Sequence, residues 1–152
     1  METKDIFALV GAVLGLVTLI KGVYELVHAN AIRRYEKFHE MSVRFDTNEH
    51  IQKVCALLHN DTGDSPAIAT KQQKEIFICF LEEIFFMINS KIMRYDIAMY
   101  TFGYYGKAAI ESEKFWDGLN RNEPYYSHFL KFCGLAKKYL PSPDTPTRAL
   151  SY

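Results

Sequence analysis

The chain has 152 residues, enough for one well-cored domain beside a short extra segment and too few for two. Its eighteen basic and eighteen acidic residues balance, which excludes attraction to nucleic acid or an anionic surface through bulk charge and leaves only local patches to consider. Cys55, Cys79 and Cys133 are odd in number, far apart and without a C-x-x-C pair, so buried thiols in a reduced compartment are expected rather than a disulfide scaffold.

The first element is the run Ile6 to Ile20, fifteen residues without a charge and with Thr18 as the one polar side chain. As a helix it measures about 22 Å, short of the roughly 30 Å of a bilayer core. The flanks extend it: Lys21 can snorkel, Val23, Leu26 and Val27 continue the apolar surface, and Tyr24 suits the headgroup zone. A tilted transmembrane helix over residues 5–27 is therefore expected. Ten strongly apolar residues in the run favour insertion by about 3 to 6 kcal/mol. Two alternatives stand beside it, a secretory signal peptide and a core helix. Against the first, "METKD" carries two acids, and Lys21 and Glu25 intrude before the cleavage-like "ANA" of Ala29–Ala31.

Within the run, Ala8, Gly11, Gly15, Thr18 and Gly22 recur at steps of three and four, so a helix gathers them on one face. Gly11 and Gly15 form G-x-x-x-G, the spacing that lets helix backbones approach closely in membranes. The same face could instead line a pore, with Thr18 supplying a hydroxyl. Lys21, Arg33, Arg34 and Lys37 follow the span and only Lys4 precedes it, so the N-terminus is expected outside and the bulk of the chain on the cytoplasmic side.

No Pro or Gly lies between Gly22 and Gly63, so the helix is expected to continue out of the membrane, and residues 28–59 are read as juxtamembrane helices. Arg33, Lys37 and Arg44 share a face, Arg34 adjoins them, and Tyr35, Phe38 and Phe45 interleave. Such a cluster suits anionic lipid at the membrane surface, or a phosphate, nucleotide or single-stranded nucleic acid held by charge and stacking. His28, His39 and His50 recur every eleven residues, and one unbroken helix would align them. Asp46 with Glu49 reads as a helix cap ahead of Ile51, Val54, Cys55 and Leu58, and residues 60–67 read as a loop.

Thr70 and Gln73 form a capping box ahead of "EIFICFLEEIFFMINSKIM", apolar around most of its circumference and hence expected at the centre of a helical core over residues 70–140. Glu82 and Glu83 make a second span there improbable and suit solvation or a salt bridge. Asp96 reads as the cap of a helix running through Gly103 and Gly106 towards Leu119, and "YYSHFLKFCGLAKKYL" as the last helix, ending at Pro141. The Pro-rich segment 141–152 reads as a disordered tail. Period-2 alternation is absent, so the fold class is all-α: one N-terminal transmembrane helix followed by a cytosolic bundle of four or five helices.

No nucleotide-loop, metalloprotease, nucleophile-elbow or paired-cysteine motif occurs, so no catalytic residue, metal ligand or cofactor is assigned and the chain is not read as an enzyme. The span, the basic exit "AIRRYEKFHEMSVRF" and the segment Phe80 to Trp116 resemble a family of small bacterial proteins with one N-terminal span and a helical cytosolic domain. Size and layout are also similar to the channel effector of Hailong-type anti-phage defence. That resemblance implies a homo-oligomeric channel held closed by a short DNA oligomer, itself made by a partner nucleotidyltransferase. A membrane-tethered interaction module without conduction is the alternative.

Overall fold

The computed structural model describes residues 3–59, 68–122 and 124–140, with side chains for all of these except 3–10 and 12. Among the described residues every regular element is a helix and none is a strand. The expected loop 60–67 and tail 141–152 lie outside them. Two compact units divide the chain, residues 1–39 and 40–152, and the division falls within the segment read as juxtamembrane.

Helix α1, Thr3–Thr47, runs without a break, as the absence of Pro and interior breakers after Gly22 leads one to expect. Its end differs in detail from the sequence reading. Asp46 remains inside α1, and Asn48 is the residue between helices: its Oδ1 accepts from the backbone N–H of His50 at 3.0 Å and of Ile51 at 3.2 Å. Those are the first free donors of α2, Glu49–His59, so Asn48 does the capping assigned to Asp46. α2 then buries Ile51, Val54, Cys55, Leu57 and Leu58 along one side.

The capping box at α3, Lys71–Asn89, is present in both directions: Thr70 Oγ1 accepts from Gln73 N–H at 3.3 Å, and Gln73 Oε1 accepts from Thr70 N–H at 2.9 Å. α3 carries the centre of the second unit, with Phe77, Phe80, Leu81 and Ile84 fully buried. α4, Tyr95–Glu111, starts without the side-chain cap expected of Asp96. Asp96 lies one residue inside the helix, where its carboxylate takes the Arg94 guanidinium at 2.5 Å and is held below the usual carboxylate range. The helix expected to run on towards Leu119 stops at Ser112, whose hydroxyl accepts from Phe115 N–H at 3.1 Å and opens the single turn α5, Glu113–Trp116. A 3-10 turn, Pro124–Tyr126, leads into α6, Ser127–Tyr139.

Aromatic rings join these elements. Phe45 from the end of α1, Phe80 from α3 and Phe102 from α4 meet pairwise with centroids 5.4 to 5.6 Å apart. Phe115 lies 5.8 Å from Phe77 and 5.9 Å from Phe129 of α6. Such tilted and edge-on contacts add about 0.5 to 1.5 kcal/mol each beyond the area buried.

The α4–α6 crossing depends on a missing side chain. A Cβ built at Gly106 would stand 2.7 Å from Phe132 Cε1, and Phe132 is fully buried. Gly134 of α6 has nothing within 4 Å of its added Cβ. The two glycines should therefore respond oppositely to alanine. Gly106→Ala gains about 1 kcal/mol of helix propensity but loses more to overpacking, for a net destabilisation of about 1 to 2 kcal/mol, whereas Gly134→Ala stabilises by about 1 kcal/mol. Urea midpoints for the two variants check this, and stabilisation by both would show that the crossing is looser than described.

Candidate functional site

From Val13 to Glu36 every side chain of α1 is exposed, and the large apolar ones lie on all sides: Val13 at 53 %, Leu14 at 62 %, Leu16 at 59 %, Val17 at 57 % and Leu19 at 65 %. A helix apolar on its whole circumference normally has a cover, either protein or hydrocarbon. Within its own unit this one has none. Gly11, Gly15 and Gly22 have no neighbouring atom within 4 Å of an added Cβ, so among the described residues of this unit nothing packs on these three positions. The side chain of Ala8 lies outside the described residues. Thr18 donates its hydroxyl hydrogen to Leu14 O at 2.9 Å, which satisfies the donor inside the helix and suits a surface that sees little water. Among the described residues no helix is long and apolar enough to cross a membrane; the first half of the run, through Val10 and at Ala12, lacks described side chains.

The basic cluster is distributed over both units. Arg33 and Arg34 are exposed and Lys37 is half-buried in the first. Arg44 belongs to the second, where its Nη1 meets Glu83 Oε2 at 2.6 Å and its guanidinium lies 5.7 Å from the centre of the Phe80 ring. Arg44 thus serves an internal ion pair and a cation–π contact, and a ligand would have to compete with both. The interleaved aromatics also divide. Phe45 is buried in the core, and Tyr35 stacks on His39 with ring planes 5° apart.

No family model, no curated protein and no solved structure matches this chain.

Among the described residues no three His, Cys, Asp or Glu side chains converge to hold a metal ion. The three-histidine alignment is broken at Asn48. His28 and His39 share α1, but His50 belongs to α2, with its Nδ1 3.5 Å from Gln73 Nε2. Glu82 and Glu83, adjacent in sequence, have separate structural tasks. Glu83 pairs with Arg44, and Glu82 Oε1 accepts from Phe129 N–H at 3.1 Å, capping the first turn of α6.

Sequence reasoning missed Lys74 altogether. The residue is 4 % exposed, and its Nζ donates to Lys114 O at 2.9 Å and to Asp117 O at 2.7 Å, closing the end of α5. Burial lowers its pKa against the pull of Asp117. Also unforeseen was the contact of His59, whose ring stacks on Tyr104 at 5.4 Å and whose Nε2 lies 3.3 Å from the Tyr105 hydroxyl. Neither has a local sequence signal, because every partner lies forty or more residues along the chain.

Proposed function

We propose that the chain is a homo-oligomeric, single-span membrane channel or pore-forming effector, acting in bacterial antiviral defence. α1 inserts in the membrane, and several copies of it enclose the conduction path. The helical unit from Glu40 onward lies on the cytoplasmic side, and an anionic nucleotide or oligonucleotide regulates the assembly. One observation carries the reading: α1 is apolar around its circumference from Val13 to Ile20 and uncovered in its own unit, while residues 40–140 build a separate core. Hydrocarbon and neighbouring copies are the cover that such a helix needs. The back-bonded Thr18, the vacant small-residue face and the basic residues following the span support it. Arg33, Arg34 and Lys37 are the proposed contacts of the anionic regulator, and Arg44 is engaged by Glu83.

The direct test is ion flux from liposomes reconstituted with the full chain, alongside the mass of the solubilised particle. Gly15→Leu and Thr18→Leu should change conductance by about tenfold, because a bulky side chain either blocks a narrow path or parts close-packed helices. A monomeric particle removes the channel at once, since one span encloses nothing. Retention of cellular activity after replacement of the whole span by an unrelated one would favour the non-conducting module. Arg33→Glu and Arg34→Glu should abolish any effect of a short single-stranded oligonucleotide on flux.

A further inference from the structure

Starting at the expected membrane boundary, α1 repeats itself. "YELVHANAIRR", Tyr24 to Arg34, is followed by "YEKFHEMSVRF", Tyr35 to Phe45, with Tyr, Glu, His and Arg at the same four places and Ile32 matched by Val43. Eleven residues complete three turns with a drift of about 20°, so both copies of the motif present the same face. The structure shows that face formed twice in the same way. Tyr24 stacks on His28 and Tyr35 on His39, each with centroids 6.2 Å apart and ring planes within 5° of parallel. Tyr24 and Tyr35 are each 70 % exposed. Two large aromatic plates per helix, repeated in register and uncovered, form a surface for another helix of the same period.

We propose that this Tyr–His face is a self-association seam, taking α1 of a second copy of this chain in parallel and in register; the inference rests on the membrane-inserted oligomer proposed above. Charge selects the occupant and its direction. Arg34 and Glu36 stand one residue to either side of Tyr35, about 100° to its left and right, in the flanking places where coiled coils carry their pairing charges. In a parallel pair centred on Tyr35, Arg34 of one copy faces Glu36 of the second copy, twice per pair. An antiparallel pair with the same centre would set Arg34 against Arg34 and Glu36 against Glu36. An eleven-residue repeat also gives a slight right-handed supercoil, compatible with an almost straight exit from the membrane. Gly22, Gly15 and Gly11 fall on the far side of the helix from Tyr24. The two seams therefore do not compete, and the small-residue face remains for contact with a further pair.

Disulfide trapping in the full chain, in lipid nanodiscs, tests the seam. Cys79 is the exposed native thiol and Cys55 and Cys133 are buried, so Cys79→Ser supplies the background. Tyr24→Cys and Tyr35→Cys should each cross-link with themselves about tenfold faster than Asn30→Cys, which lies roughly 120° or more around the helix from both and off the small-residue face as well. Arg34→Glu and Glu36→Arg should each weaken self-association about fivefold, and the double exchange should restore it. Cross-linking of Tyr24→Cys only with Tyr35→Cys would show an antiparallel pair and overturn the proposal. Preferential cross-linking at Asn30→Cys in an oligomeric particle would overturn the seam and leave the channel standing, whereas a monomeric particle would overturn both.

Discussion

Phe102→Ala is expected to destabilise the helical unit by about 3 to 5 kcal/mol, the usual cost of emptying a fully buried phenylalanine site. Phe102 has no exposed surface, and its ring meets Phe45 at 5.4 Å and Phe80 at 5.5 Å, both edge-on. Three helices therefore lose a common contact when it goes, and two neighbours held by their own helices cannot collapse into the gap. Against a typical total of about 5 to 15 kcal/mol, that loss consumes a large part of the stability. Trp116 reports it directly, being the one tryptophan, 5 % exposed and packed on Phe115 and Phe129. The urea midpoint of its fluorescence should fall by about 1.5 to 3 M, while Phe86→Ala, at a site 51 % exposed, should move it far less. Equal shifts for the two variants would contradict the aromatic core described.

Alkaline solution should unfold the same unit through its buried thiols. Burial, aided by Asp46, pushes Cys55 up to about 12, and burial pushes Cys133 higher still. The folded state thus holds protons that the unfolded chain releases near pH 9. Stability is complete below that pH and declines as pH rises towards the folded values. At pH 11, two units above the ordinary thiol value, Cys55 alone accounts for a loss of about 2 to 3 kcal/mol. Tyr105, raised by burial, acts in the same direction above pH 10. Lys74 acts in the opposite one: its lowered pKa means the fold disfavours the ammonium, so deprotonation relieves a cost as the unfolded value is approached. The urea midpoint should fall between pH 8 and pH 11, and Cys55→Ala should remove part of that slope whatever its effect at pH 8. An unchanged slope in both Cys55→Ala and Cys133→Ala would exclude the thiols as the cause.

These two effects share an origin with the candidate site. The unit from Glu40 onward closes a core of its own, and α1 before it leaves an apolar surface open. A replacement at Phe102 or Cys55 acts on folding, whereas Gly15, Tyr35 or Arg34 stand where no described residue of their own unit covers them. The two groups of variants therefore separate loss of fold from loss of assembly.

The sequence by itself determined the helical class, the unbroken α1, the Thr70–Gln73 box and the apolar run, whose exposure the structure then showed. These depend on residues within one or two turns of each other, where spacing alone decides which side chains meet. It also held the eleven-residue repeat of Tyr and His, since that too is a property of one helix. Tertiary structure decided the rest. Arg44 reaches Glu83 thirty-nine residues on, Lys74 caps α5 from forty and more, and Glu82 caps α6 from forty-seven. Phe45 turns into the core instead of joining a basic surface, and Asn48 rather than Asp46 ends the first helix. Those outcomes follow from which faces pack together, because a buried polar group takes whatever partner the crossing of the helices brings within reach.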